Sequence, residues 1–227
     1  MIVESKLVET YLNKEKYHYG LVVSILFLSI CIVASLFYWS PDYPIKELLG
    51  ASPYLIFEKK EYWRLFTTLF THADIEHLLS NSLMLFFLMY FVTSFFGYWI
   101  SIALSLIMGA VINYFVLMSF NSEATTLVGI SGVIYYLWGL WFILYLFIDE
   151  TISLPRRLVK VFGIFLILLV PTSYAPQTSY LAHYLGFAIG FATGLIVYPF
   201  FRKKTISYKR WENRIVHDFE QEEKELE

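Results

Sequence analysis

The run Leu127–Gly139, LVGISGVIYYLWG, is apolar almost throughout, yet one serine, Ser131, stands near its start in the pattern Gly129-Ile130-Ser131-Gly132. Either Ser131 helps a helix pack, or it is a nucleophile held inside a membrane. The residues around it, and then the rest of the chain, decide between the two.

The surroundings are those of a membrane protein. The chain is 58% hydrophobic and only 16% charged, against roughly 25% charged for a soluble domain. No Lys, Arg, Asp or Glu occurs across 77–122, 124–148 or 161–201. Charge-free apolar stretches of this length read as transmembrane helices. We therefore expect an all-α polytopic membrane protein with six spans, at about 21–39, 75–96, 98–120, 131–148, 158–173 and 178–201. Gly97 leaves room only for a tight turn between the second and third spans. Pro171 and Pro176 bracket the end of the short fifth one.

The expected organisation is an N-terminal segment (1–20), a six-span core (21–201) and a charged tail (202–227) that reads as a solvated helix touching anionic headgroups. No cleavable signal peptide is evident, because the first apolar run begins only near Leu21. The segment 41–70 mixes aromatic residues with charges and suits a loop sunk in an interface, with Trp63 and Arg64 as anchors. Cys31, the single cysteine, reads as a small apolar filler. Net charge is −2, which gives no reason to expect a nucleic-acid partner. Lys and Arg follow the positive-inside rule if both termini are cytoplasmic: Lys6, Lys14, Lys16, Arg156, Arg157, Lys160 and the cluster from Arg202 onward lie inside, and Lys46, Lys59, Lys60 and Arg64 outside. The expected location is a prokaryotic cell membrane, crossed many times.

Polar groups are costly inside a bilayer and mark function by default. Three clusters stand out: HADIEHLLSN (72–81), GISGVIYY (129–136) and AHYLGFAIGFATG (182–194). They begin spans 2, 4 and 6, so all three sit at one depth on one side. His77 and Asn81 share a helix face at i, i+4, as do Ser131 and Tyr135. Gly186, Gly190 and Gly194 form a small-xxx-small stripe that lets span 6 approach span 4 closely and carries His183 toward Ser131. A serine hydroxyl needs a general base, and a neutral imidazole supplies one. His77, Asn81 and the Ser131 amide at a helix N-terminus are candidate oxyanion donors. No buried carboxylate completes a triad, so the expected machinery is a Ser131–His183 dyad with Tyr135 packed on the imidazole. His72 and His77 are five apart, about 140° around a helix, which does not suit the paired histidines of a zinc helix. No metal and no cofactor are expected.

Taken together, YWRLFTTLFTHADIEHLLSN, GISGVIYYLWG and AHYLGFAIGFATG resemble the rhomboid family of intramembrane serine proteases. The resemblance implies Ser131 as nucleophile and His183 as base, with His77, Asn81 and the Ser131 amide as oxyanion donors. It also implies Tyr135 stacking on His183, with Gly129 and Gly132 flanking the nucleophile. Ile130 stands where alanine or leucine is common. The implied partners are the lipid bilayer and membrane-protein substrates, single-span or multi-span, cleaved near the outer face. Span 5 and the segment SYAPQTSY (173–180) are the expected gate and cap. The rival reading is a non-proteolytic binder of membrane helices in the same cleft.

Overall fold

The computed structural model describes residues 2–13, 18–40, 46–120, 122, 125–169 and 179–216. In chain order the elements are strand β1 (Ile2–Glu9), helix α1 (His18–Trp39) and the short helices α2 (Lys46–Leu49) and α3 (Arg64–Thr67). Then come α4 (Ile75–Phe96), a π-helical turn (Trp99–Leu104) that continues into α5 (Ser105–Met118), and α6 (Ser131–Ile148). The chain ends in α7 (Leu154–Leu169), α8 (Tyr180–Ser207) and strand β2 (Arg210–Val216). Among the described residues five helices are long and apolar enough to cross a membrane: 19–39, 75–96, 99–118, 131–148 and 180–207. Of the expected fifth span, 158–173, the described part lies in α7, which runs for 16 residues.

Each long helix starts and stops for a local reason. Asp74 caps α4 by accepting the His77 N–H at 2.8 Å, an exchange that satisfies one of the open amides of the first turn. Gly97 ends α4 with φ of 87° and bonds back to Thr93 O at 2.9 Å. That backbone geometry favours glycine and makes the tight turn expected there. Cys31 is fully buried on α1, as a small filler would be.

α6 and α8 lie side by side and run in the same direction. A Cβ built on Gly132 would meet Ala182 O at 3.6 Å. One on Gly186 would meet Tyr136 N at 3.2 Å, one on Gly190 the Tyr136 carbonyl carbon at 2.8 Å, and one on Gly194 Ile143 Cβ at 2.8 Å. From the other side, a Cβ built on Gly139 would stand 2.7 Å from the Phe191 amide nitrogen. Backbones this close gain dispersion contact over their whole length, which is what holds helices together where lipid and side chain are equally apolar. α1 runs antiparallel to α4, with Gly20 against Ser94 at one end and Ser35 against His72 at the other.

The departure from an all-α chain is at its ends. β1 and β2 pair antiparallel from Ile2↔Val216 to Glu9↔Arg210, with an irregularity between Leu7 and Glu9. The tail from Arg210 to Val216 is therefore a strand and not the expected helix. The alternation in RWENRIV matches that of IVESKLVE, and each strand supplies the ladder partner that the other lacks. Just past β1, Tyr11 is fully buried and donates its hydroxyl to Phe95 O at 2.5 Å. Its ring also packs on Phe95, Phe96 and Tyr208. The ends of α4 and α8 and the start of α1 thus share one end of the bundle.

The α6–α8 contact makes a stability prediction. Gly190→Ala drives a methyl into the Tyr136 backbone and should cost about 1–3 kcal/mol. Gly163→Ala, on α7 where nothing lies within 4 Å of the built Cβ, should cost nothing. Thermal unfolding in detergent of the two variants beside the parent measures both.

Candidate active site

The bundle end opposite the sheet collects the N-termini of α4, α6 and α8, and with them the three polar clusters. Ser131 is the first residue of α6 and is half-buried. The first amides of α6 to find helical partners are those of Val133 and Ile134, both bonded to Ile130 O at 2.9 and 3.1 Å. The Ser131 and Gly132 N–H groups therefore point out of the helix start, where the dipole favours a negative charge.

One turn along from Ser131, the Tyr135 ring stacks on His183, with centroids 4.1 Å apart and planes 11° from parallel. Tyr180 approaches the same imidazole edge-on at 6.1 Å. His183 lies in the first turn of α8, which Ser179 caps through the Ala182 N–H. Because Gly132 sits against Ala182, Ser131 and His183 occupy the same level of the two helices. No hydrogen bond joins Ser131 Oγ to the His183 ring among the described residues.

On the other side of Ser131, Gly129 has φ of 120°, and a Cβ there would stand 2.7 Å from His77 Cε1. The His77 ring lies in the space that the missing side chain leaves. Asn81, one turn further along α4, holds a buried Nδ2 without a hydrogen-bond partner. Unsatisfied amides are costly where water is scarce, and among the described residues nothing offsets that cost at Asn81.

Two supports were not read from the sequence. The segment 127–129 is pinned by the first loop. Leu127 pairs with Ala51 in an isolated bridge, Thr68 Oγ1 donates to Leu127 O, and the Gly129 N–H donates to Thr68 O at 3.0 Å. Arg64, buried, ties that loop together through Gly50 O at 3.0 Å and Glu61, and its guanidinium lies 4.6 Å from the Trp63 ring centre. These residues anchor the loop, as expected. The second support is Ser35 on α1. Its Oγ lies 3.1 Å from His72 Nδ1 and accepts the His72 N–H at 3.1 Å. His72 is fully buried and meets His77 edge-on at 5.1 Å. A serine inside an apolar span gave no sign of which distant residue it would meet.

The family model of the Rhomboid domain matches residues 59–200, more than half of the chain. It belongs to the rhomboid family. Its five apolar helices make this rhomboid a multi-pass integral membrane protein. No curated protein matches the rhomboid's sequence significantly. The matched stretch holds Thr68, His72, His77, Asn81, Gly129, Ser131, Tyr135 and His183, whereas α1 with Ser35 and both terminal strands lie outside it.

Burial and the nearby His77 push His72 down to about 4 from the usual 6.5, against a smaller opposing pull from Asp74. In the unfolded chain His72 takes its proton near 6.5, and in the folded chain only near 4. Between those values protonation favours unfolding, so its contribution is complete above about pH 6.5 and is lost as pH falls toward about 4. His72→Asn should flatten the fall in unfolding temperature across that window, as read by thermal unfolding against pH.

Proposed function

We propose that this rhomboid is an intramembrane serine endopeptidase that cleaves transmembrane segments of other membrane proteins by a Ser131–His183 dyad. The observation that carries the reading is the Tyr135–His183 stack one turn from Ser131, with His77 lodged against Gly129 on the other side. It supports an imidazole acting beside Ser131 and a donor acting beside the carbonyl that Ser131 would attack.

The chemistry is acyl transfer to water. Ser131 Oγ attacks the substrate carbonyl carbon while His183 takes the hydroxyl proton. The resulting oxyanion is held by the Ser131 N–H and by His77 and Asn81. His183 then protonates the departing amine, the peptide bond breaks, and an acyl-enzyme remains. Water, deprotonated by the same imidazole, attacks the ester; the C–Oγ bond breaks, the acid leaves, and His183 returns the proton to Ser131 Oγ. Tyr135 holds the ring in place through each transfer.

The packing also favours six crossings. α6 and α8 are parallel neighbours, so the chain must return to the site end between residues 149 and 179, and α7 is the described helix on that path. Lys and Arg enrichment puts the terminal sheet in the cytoplasm and the site near the outer face. On α7, Leu158, Val159, Phe162, Ile164 and Leu166 are exposed, which suits a loosely held element that lets a substrate helix enter sideways. The expected cap, 173–180, falls almost wholly outside the described residues.

Ser131→Ala should abolish cleavage of a single-span reporter, and a fluorophosphonate should label the parent at Ser131 but not this variant. Labelling elsewhere, or helix binding without cleavage by the parent, favours the holder over the hydrolase. Gly129→Ala, which displaces His77, should lower kcat about 100-fold with Ser131 still in place, as measured by steady-state cleavage.

A further inference from the structure

Outside the site, the most prominent feature with no role so far is the terminal sheet. In an antiparallel ladder directly paired residues project to the same side. The pairs Val3↔Ile215 and Leu7↔Trp211 therefore share one face with Ser5↔Asn213, and Glu4↔Arg214 and Lys6↔Glu212 share the other. The outer part of the first face is open, with Val3 62% exposed, Ile215 60% and Trp211 57%, whereas Leu7 at its inner end is buried. A sheet this small has no second layer of its own to cover such a face.

Its position says what does. Two residues separate α8 from β2. α8 has 28 residues, about 42 Å at 1.5 Å each, against a hydrocarbon core of about 30 Å. Its last turns therefore stand at the bilayer surface, and the sheet with them. Arg202, Lys203 and Lys204 are exposed there, as are Arg156 and Lys160 at the start of α7. Among the described residues, Glu150 binds Lys209, and Glu9 and Glu212 bind Arg210. A tryptophan beside exposed cations, at the depth of the headgroups, is the pattern of an interfacial anchor.

We infer that the β1–β2 sheet is a lipid-docking surface that lays Val3, Trp211 and Ile215 against an anionic headgroup layer of the protein's own membrane. Arg202, Lys203, Arg156 and Lys160 meet the lipid phosphates, and the Glu4–Arg214 face stays in water. The surface is independent of the hydrolytic site.

The test uses the full chain in vesicles of phosphatidylcholine brominated near the headgroup end of its acyl chains, with or without phosphatidylglycerol. Subtracting the emission of a Trp211→Phe variant isolates Trp211 from the chain's other tryptophans. Trp211 should be blue-shifted and quenched severalfold more when phosphatidylglycerol is present, and raised salt should reverse the gain. An Arg202→Gln/Lys203→Gln double variant, which leaves the ladder intact, should lose the dependence on anionic lipid. Equal quenching in both lipids overturns the proposal. So does shielding that follows the protein-to-lipid ratio, which would mean a second copy of the chain. Shielding that appears only with added soluble protein overturns it too, in favour of a protein partner.

Discussion

The closeness of two backbones is the constraint on which the rest of the molecule depends. α6 carries Ser131 and Tyr135, and α8 carries His183. Neither helix could bring these groups together if a side chain stood at Gly139, Gly186 or Gly190. In a bilayer there is no gain from hiding apolar surface from water, so the helices associate through dispersion contacts that fall off steeply with distance. A stripe of absent side chains does two things at once. It makes the contact strong, and it fixes the register of an imidazole against a hydroxyl.

A second layer of control comes from parts of the chain distant in sequence. Thr68 and Ala51 hold the residues that lead into α6, so the backbone reaches Ser131 in one conformation, with Gly129 bent to admit the His77 ring. Ser35 holds His72, and His72 backs His77 edge-on. Each support ends on a group next to Ser131, and each comes from the first helix or the first loop. The loop thus works as a brace for the site.

The spans are legible because a bilayer writes its thickness into composition: a long charge-free run of apolar residues is stable only where water is absent. The three polar clusters are legible for the same reason, since each polar group there stands out against a background in which it is costly. The shared faces of Tyr135 with Ser131, and of His183 with the glycine stripe, can be read from spacing along single helices, whereas Gly129 is read only from the resemblance. The Thr68–Leu127 and Ser35–His72 contacts cannot, because each joins one ordinary-looking residue to a partner far away in the chain. The terminal strands escape a reading of the sequence because each is short and mixed in polarity, and neither has a ladder until the other is present. α7 is the intermediate case. Its apolar run is visible, but its amphipathic start, LPRRLVK, blurs where a crossing begins.

The register of the terminal ladder sets the order in which the molecule can be assembled and taken apart. Ile2 lies opposite Val216, so the first strand must wait for residues 210–216, made after every described helix, before it can pair. Every helix is committed to the bilayer before that clasp closes. In the reverse direction, a tug on the two ends would load the ladder at its outermost rung and peel it one pair at a time. The strands would part before any force reached the helices behind them.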